Sequence, residues 1–262
     1  MRHGDLFAAQ GERRGLVLVR TPYDARCHHD LARSLAARGL DCLVQDVRGR
    51  HRAAGSWVPY RHEAEDGAAT LRDLASAGIP GPYLLYGASY EAHAALEAAR
   101  TVPHLVSGVL AAVPALGLHE TAWSRAGVPR HRDRIGWWTI HGFARTDEPA
   151  LPPRRLAAAT AVAEQDGPLA VPDFLGWPEE RRAAWARLWA AEPVDLGRYA
   201  GLPLLVVTGD TDPFDDHARA LAAATGADLL SGPWGHDLGI GTDSSPGPRM
   251  LAWLRDRTEA PA

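Results

Sequence analysis

The stretch "YLLYGASYEAHAALEAART", residues 83–101, changes character in its middle. Residues 83–89 form a short apolar run of the kind that makes a buried strand, and residues 90–101 are alanine-rich with helical spacing. Gly87 stands at the join, two places before Ser89. A glycine, any residue, then a serine on a tight strand-to-helix turn can hold a nucleophilic hydroxyl clear of the backbone. A serine opening a helix can equally be a cap that bonds a backbone N–H. What surrounds this turn decides between the two.

Outward from it, strands and helices alternate. "GLVLVRT" (15–21) and "DCLVQDV" (41–47) read as buried strands, with "HDLARSLAARGL" (29–40) as the helix between them, stopping at Gly39. "EAEDGAATLRDLASAG" (63–78) reads as a helix and "SGVLAAVPA" (107–115) as the strand after the opening stretch. "LPLLVVTG" (202–209), "ADLLSGPW" (227–234) and a helix around "RMLAWLRDR" (249–257) close the chain. The pattern predicts an α/β fold, a mostly parallel central sheet flanked by helices, with functional residues at the carboxyl ends of the strands.

Residues 117–200 interrupt the alternation and hold six of the nine tryptophans: Trp123, Trp137, Trp138, Trp177, Trp185 and Trp189. The interval is expected to be a helical cap inserted into one domain spanning 1–262, before the strand that leads to the aspartate discussed below. Its tryptophans either wall an apolar pocket or glue the cap together. Trp137, Trp138 and Trp234 are the candidates for the pocket wall.

Three strand ends carry a coherent chemistry. Ser89 follows "YLLYGA", Asp212 follows "LLVVTGDT" after Gly209, and His236 follows "LLSGPWG". A serine hydroxyl needs an imidazole to take its proton, and the imidazole needs an anion to fix its tautomer. The order Ser, Asp, His is that of α/β-hydrolases. Asp210, Asp215 and Asp216 compete with Asp212 in "GDTDPFDD". That acidic run lacks the glycine spacing and closing glutamate of a calcium loop, so no metal and no cofactor is expected.

With these residues in hand, a resemblance is plain. "RTPYD" (20–24), "QDVRGR" (45–50), "GSWVPYRHEAEDG" (55–67), "GASYEA" (87–92) and "GPWGH" (232–236) resemble, in order, the signatures of the cocaine-esterase and X-prolyl dipeptidyl peptidase family of serine hydrolases. The likeness covers roughly 15–115 and 200–255. It implies an α/β-hydrolase fold and a serine hydrolase acting on an ester, thioester or amide. It also implies that Tyr23 donates its hydroxyl to an oxyanion hole beside the backbone N–H of Tyr90. Asp46, Arg48 and Asp66 are expected to brace nearby loops. By the family pattern Glu91 fills a free position, favoured there by the helix dipole, and Ala92 replaces a glycine. The chain reads as a compact form without the family's C-terminal β-sandwich and without most of its N-terminal strand pair. Acidic residues for binding a free amino terminus cannot be picked out, so X-prolyl cleavage is not the expected activity. The same site could pass the acyl group to an alcohol or amine as an acyltransferase or cyclase, and a non-catalytic binding module is the third reading.

Composition limits the partners. Charged residues make up 23% and the formal net charge is −4, with arginines scattered among alanines and glutamates, which argues against nucleic acid. No run approaches the roughly 20 apolar residues that span a bilayer, and "MRHGDLFAAQGERRG" is not a secretory signal. Cys27 and Cys42 have no metal or redox spacing, which fits a reduced, cytoplasmic protein. The expected partner is a small molecule carrying an acyl group, with a homodimer left open.

Overall fold

Strand β2, Gly15–Thr21, is buried at all seven positions, as befits the middle of a sheet covered on both faces. In the computed structural model, which describes residues 3–258, it lies within a seven-stranded sheet. The other strands are β1 (Gly4–Phe7), β3 (Leu40–Asp46), β4 (Tyr83–Ala88), β5 (Val106–Ala112), β6 (Leu204–Gly209) and β7 (Asp228–Gly232). Their order is β1-β3-β2-β4-β5-β6-β7, with β1 antiparallel to β3 and every other pairing parallel. Met1 and Arg2 of the N-terminal stretch quoted above lie outside the described residues.

The helices are α1 (His29–Ala36), α2 (Glu63–Ser76), α3 (Tyr90–Thr101), α4 (Leu118–Ala122), α5 (His131–His141), α6 (Pro153–Asp166), α7 (Val171–Leu175), α8 (Glu179–Trp189), α9 (Asp215–Thr225) and α10 (Gly247–Asp256). Alternation along the strands sorts the core into two layers. Leu16, Leu18 and Leu85 pack with Leu71, Leu96 and Leu221 of α2, α3 and α9. Val17, Val19 and Leu84 pack on the other face with Leu35 of α1 and Met250 and Leu254 of α10. Two elements lie where the sequence reading assigns nothing, β1 and α9. Strand β1 is four residues long with only partial burial, so it has almost no apolar pattern to read.

Between β5 and β6, helices α4 to α8 form a third hydrophobic cluster of their own. Its centre is aromatic: Trp185 meets Trp177 at 5.4 Å, Trp189 at 5.5 Å and Trp138 at 6.2 Å between ring centroids, all in edge-to-face geometry. Most of the cap tryptophans therefore hold the cap together.

Arg50 fastens the cap to the sheet. Its side chain is fully buried, and it donates to the Pro22 carbonyl (2.8 Å) in the loop after β2. It also donates to the Ala144 carbonyl (2.5 Å) and pairs with Asp147, both in the segment after α5. Beside it, Trp57 Nε1 donates to the His141 carbonyl at 2.8 Å. Arg50→Met should leave the half-buried Ala144 carbonyl without a donor and the Pro22 carbonyl with only His51 Nε2 at 3.1 Å, at about 1–3 kcal/mol for a buried group left unmade. A urea unfolding curve should show a loss of roughly 2 kcal/mol in all, and limited proteolysis should open first near residues 142–152.

Candidate active site

At the end of β4 the chain turns so sharply that only glycine fits at position 87. A β-carbon there would sit 2.1 Å from the Glu91 carbonyl carbon, in the first turn of α3. The next residue but one, Ser89, has φ 58° and ψ −122°, a conformation that costs an L-residue energy and is found at functional turns. Its side chain makes no capping bond to α3, so the hydroxyl is not spent on the helix. The Ser89 amide is anchored instead to the Ala112 carbonyl of β5 (2.9 Å), and its carbonyl accepts from Ala92 and Ala115. Tyr90 begins α3, and an amide at the first helical position has no acceptor within its helix.

His236 and Asp212 come from the loops after β7 and β6. Asp212 Oδ1 is 2.7 Å from His236 Nδ1, and the Asp212 side chain is fully buried while the imidazole is partly exposed. The competing aspartates are committed elsewhere: Asp210 and Asp215 pair with Arg219, and Asp216 with Arg130. The two loops are knit by main-chain bonds, Asp210 N to Gly232 O at 2.9 Å and Thr211 N to Trp234 O at 3.1 Å. Gly209 permits this, since a β-carbon there would lie 2.1 Å from the Trp234 carbonyl oxygen.

Ser89, His236 and Tyr23 face one cavity of about 790 Å³, roofed by cap residues that include Trp137, Ile140 and Leu156. Trp137 is the one candidate wall tryptophan that reaches it. Trp138 is 2% exposed and belongs to the cap core, where its neighbours are Phe143 and Trp185. Trp234 packs against the sheet with Val207 and Leu230, and its indole N–H is used by the Ser244 carbonyl at 2.8 Å. Those two positions are corrected: they shape the cap and the histidine loop and do not line the pocket.

Trp137 does more than fill space. Its Nε1 donates to the Tyr23 hydroxyl oxygen at 3.1 Å, and an indole N–H can only donate. The phenol's own proton is thereby left for another acceptor. Burial pushes the Tyr23 phenol up to about 12, so it stays protonated across the neutral range. Its hydrogen-bonding neighbours are Trp137 and Ser89. Tyr90, by contrast, spends its hydroxyl on Glu63 Oε1 at 2.5 Å and stacks its ring over Trp137, 6.0 Å between centroids.

Glu91 is not a free helix-start residue, which corrects the sequence reading. It is 2% exposed and accepts from Thr21 Oγ1 (2.6 Å), and it lies 2.7 Å from His28 Nε2. Thr21 Oγ1 in turn accepts from the Tyr23 amide at 3.0 Å. The carboxylate therefore ties the serine turn to the loop that carries Tyr23. No periodicity announces this, because the partners lie 70 and 63 residues away.

The bracing residues sit as the motifs imply. Arg48 chelates Asp66, and Asp46 accepts from the Ala25 amide (2.8 Å) and from Arg52 (3.1 Å). A second cavity, about 770 Å³, is lined by Gln45, Arg48, Asp66 and Thr70, whose polar groups already pair with one another. Among the described residues no group of three or more His, Cys, Asp or Glu could hold a metal ion, and no helix is long and apolar enough to cross a membrane.

Comparison with known proteins gives the family. Residues 8–237 match the X-Pro dipeptidyl-peptidase (S15) family. The chain belongs to it. No curated protein sequence matches the chain. Among solved structures, this S15-family chain is similar to an aminopeptidase from the marine sediment archaeon Thaumarchaeota archaeon, with a TM-score of 0.68 and 16% identity. It covers 98% of itself but only 52% of that protein's length. An α-amino acid ester hydrolase matches with a TM-score of 0.62 and 18% identity, over 90% of this chain and 46% of the other. A monoacylglycerol lipase from Paleococcus ferrophilus matches end to end, 98% and 99%, with a TM-score of 0.59 and 14% identity. At these identities the neighbours show the fold, which is that of the α/β-hydrolases.

His28 offers a test of the Glu91 link. Burial works against a charge on the imidazole, but the hydrogen bond and charge of Glu91 outweigh it and raise the pKa above the ordinary value. A raised folded-state pKa adds stability that is fully present below the unfolded value, about 6.5 for histidine, and is lost as pH rises through the folded value. His28→Gln should therefore cost more stability at pH 5.5 than at pH 9. Urea unfolding at both pH values reads the difference, and an equal loss at each would contradict an ionic pair.

Proposed function

We propose that the protein is a serine hydrolase that cleaves an ester, thioester or amide through an acyl-enzyme on Ser89. The observation that carries this reading is a strained serine whose hydroxyl does not cap its helix and meets the Tyr23 hydroxyl, facing the same cavity as a histidine held by a buried aspartate. Ser89 Oγ bonds to the substrate's acyl carbon as its proton passes to His236 Nε2. His236 then gives that proton to the leaving group as the acyl–heteroatom bond breaks. In the second half, water loses a proton to His236 and attacks the acyl-enzyme, releasing the acid and restoring Ser89. Asp212 fixes the imidazole with Nδ1 protonated, so Nε2 is the nitrogen that accepts. Negative charge on the acyl oxygen falls to the Tyr23 hydroxyl and the Tyr90 amide, one a donor freed by Trp137 and the other unpaired at a helix start.

A second reading keeps the acyl-enzyme and changes what resolves it. Trp137, Ile140, Leu156 and Phe214 give the cavity a largely apolar wall, and an apolar wall disfavours water as the acceptor. An acyltransferase or cyclase would use the same five residues. Product analysis with and without added alcohol separates the two: ester formed in proportion to the alcohol supports transfer, acid alone supports hydrolysis.

Two variants test the site itself. Ser89→Ala should abolish covalent labelling by a fluorophosphonate probe, and labelling at the wild-type rate would end the assignment. Tyr23→Phe should lower kcat by roughly a hundredfold, the usual worth of one oxyanion donor, with KM little changed.

A further inference from the structure

Among the described residues, the buried or half-buried charged groups that line the cavity have side-chain partners, except Arg134. Glu91 has Thr21 and His28, His141 has Asp147, and His236 has Asp212. Arg132 and Asp133 are exposed at the rim. Arg134, one turn along α5 from Arg130, lines the cavity with only 6% of its surface exposed. Among the described residues its guanidinium has no hydrogen bond and no ion pair, and its Nε is buried without a partner. It lies 5.5 Å from the Phe214 ring centroid, and the exposed Asp133 acts on it through space without forming an ion pair.

Arg130 is the built-in comparison. It covers the same ring at 5.4 Å, yet it also bonds Asp216 and the carbonyls of Glu120, Trp123 and Pro213. A ring shared between two guanidinium groups cannot repay the desolvation of both. An arginine stripped of water and left unpaired is among the most costly arrangements in a protein interior. The cost is recovered if an anion arrives with the ligand. Phe214 also meets the His236 ring edge-on at 5.4 Å, so a single aromatic ring separates Arg134 from the candidate base.

We propose that Arg134 is the specificity residue of the Ser89 site, and that it selects a substrate bearing a carboxylate. This rests on the hydrolase reading above. One uncompensated positive charge calls for one negative charge, and the planar guanidinium fork matches a carboxylate in two parallel hydrogen bonds. Tyr60, Ile140, Leu156 and Phe214 surround the space with apolar surface. The substrate class is then a half-ester, half-thioester or half-amide of a dicarboxylic acid, or an acyl derivative whose leaving group carries the acid. A protonated amino group entering the same space would meet Arg134 as a like charge.

The test uses the full chain and two matched pairs of esters. One pair places the anion on the acyl side, 4-nitrophenyl hydrogen glutarate against 4-nitrophenyl pentanoate. The other places it on the leaving side, 3-carboxyphenyl pentanoate against phenyl pentanoate. The wild type should prefer the anionic member of one pair by roughly tenfold or more in kcat/KM, as desolvated charge pairs do. Arg134→Gln should erase that preference, chiefly through KM, and Arg134→Lys should restore part of it. A wild-type ratio near one in both pairs, or a ratio that survives Arg134→Gln, overturns the proposal. Glutarate binding to the Ser89→Ala protein, followed by tryptophan fluorescence, separates the two readings. Binding that is lost on adding Arg134→Gln upholds Arg134 even where no ester is turned over, and such inertness would count against the hydrolase reading alone. Ester turnover without glutarate binding or anionic preference would overturn Arg134 alone.

Discussion

The contact on which the site depends is the approach of α3 to the end of β4 at Gly87. A single added carbon would collide with the Glu91 main chain, so the turn has one geometry open to it, and that geometry forces Ser89 into a strained conformation. The strain is held in place by β5, which takes the Ser89 amide, and by Glu91, whose carboxylate reaches across to Thr21 and His28. Through Thr21 the same carboxylate positions the amide of Tyr23. Serine and phenol are thus set by one rigid turn and not by two independent loops.

The cap contributes in two separable ways. Its tryptophans mostly face one another, giving five short helices a core they could not otherwise build. Its first long helix, α5, spends the opposite edge on the cavity. Trp137 and Arg134 point there, one orienting the Tyr23 hydroxyl and the other bringing charge into an apolar space. A helix with one face in a core and another on a pocket has a weak amphipathic pattern, so neither role stands out from spacing.

What could be read from sequence follows from this. Buried parallel strands leave continuous apolar runs, so β2, β3, β4, β5 and β6 were legible to within a few residues, as was the mostly exposed edge strand β7 from its short leucine pair, and with them the strand ends where Ser89, Asp212 and His236 sit. The fold and the family were legible for the same reason, because the five motifs are these strand ends and the loops behind them. Strand β1 was not, being short and half exposed. Helix α9 opens on two aspartates and is otherwise mostly alanine, which gives its apolar spacing little contrast. The roles of Glu91, Trp138 and Trp234 are not legible because they depend on partners far along the chain: a buried carboxylate needs Thr21 and His28 to explain it, and a tryptophan next to a catalytic motif looks like a pocket wall until its neighbours are known. Arg134 sits among Arg130 and Arg132 in "RHRDR", and nothing local says that Arg130 is paired, Arg132 exposed and Arg134 buried without an ion pair.

The stapling of the cap on its far side bears on traffic. Arg130 grips Pro213 and Asp216, the Arg125 amide bonds Asp216 at 2.7 Å, and His217 Nε2 lies 2.8 Å from the Trp123 carbonyl. Pro213 and Asp216 belong to the segment that begins at Asp212. Swinging the cap away as a hinged lid would drag that segment with it and pull the aspartate off its histidine. On the proposed function a ligand therefore enters with the roof still in place, where exposed residues such as Arg132 and Asp133 line the cavity. That makes the doorway, and not the roof, the part whose width sets how bulky a molecule the cavity can admit.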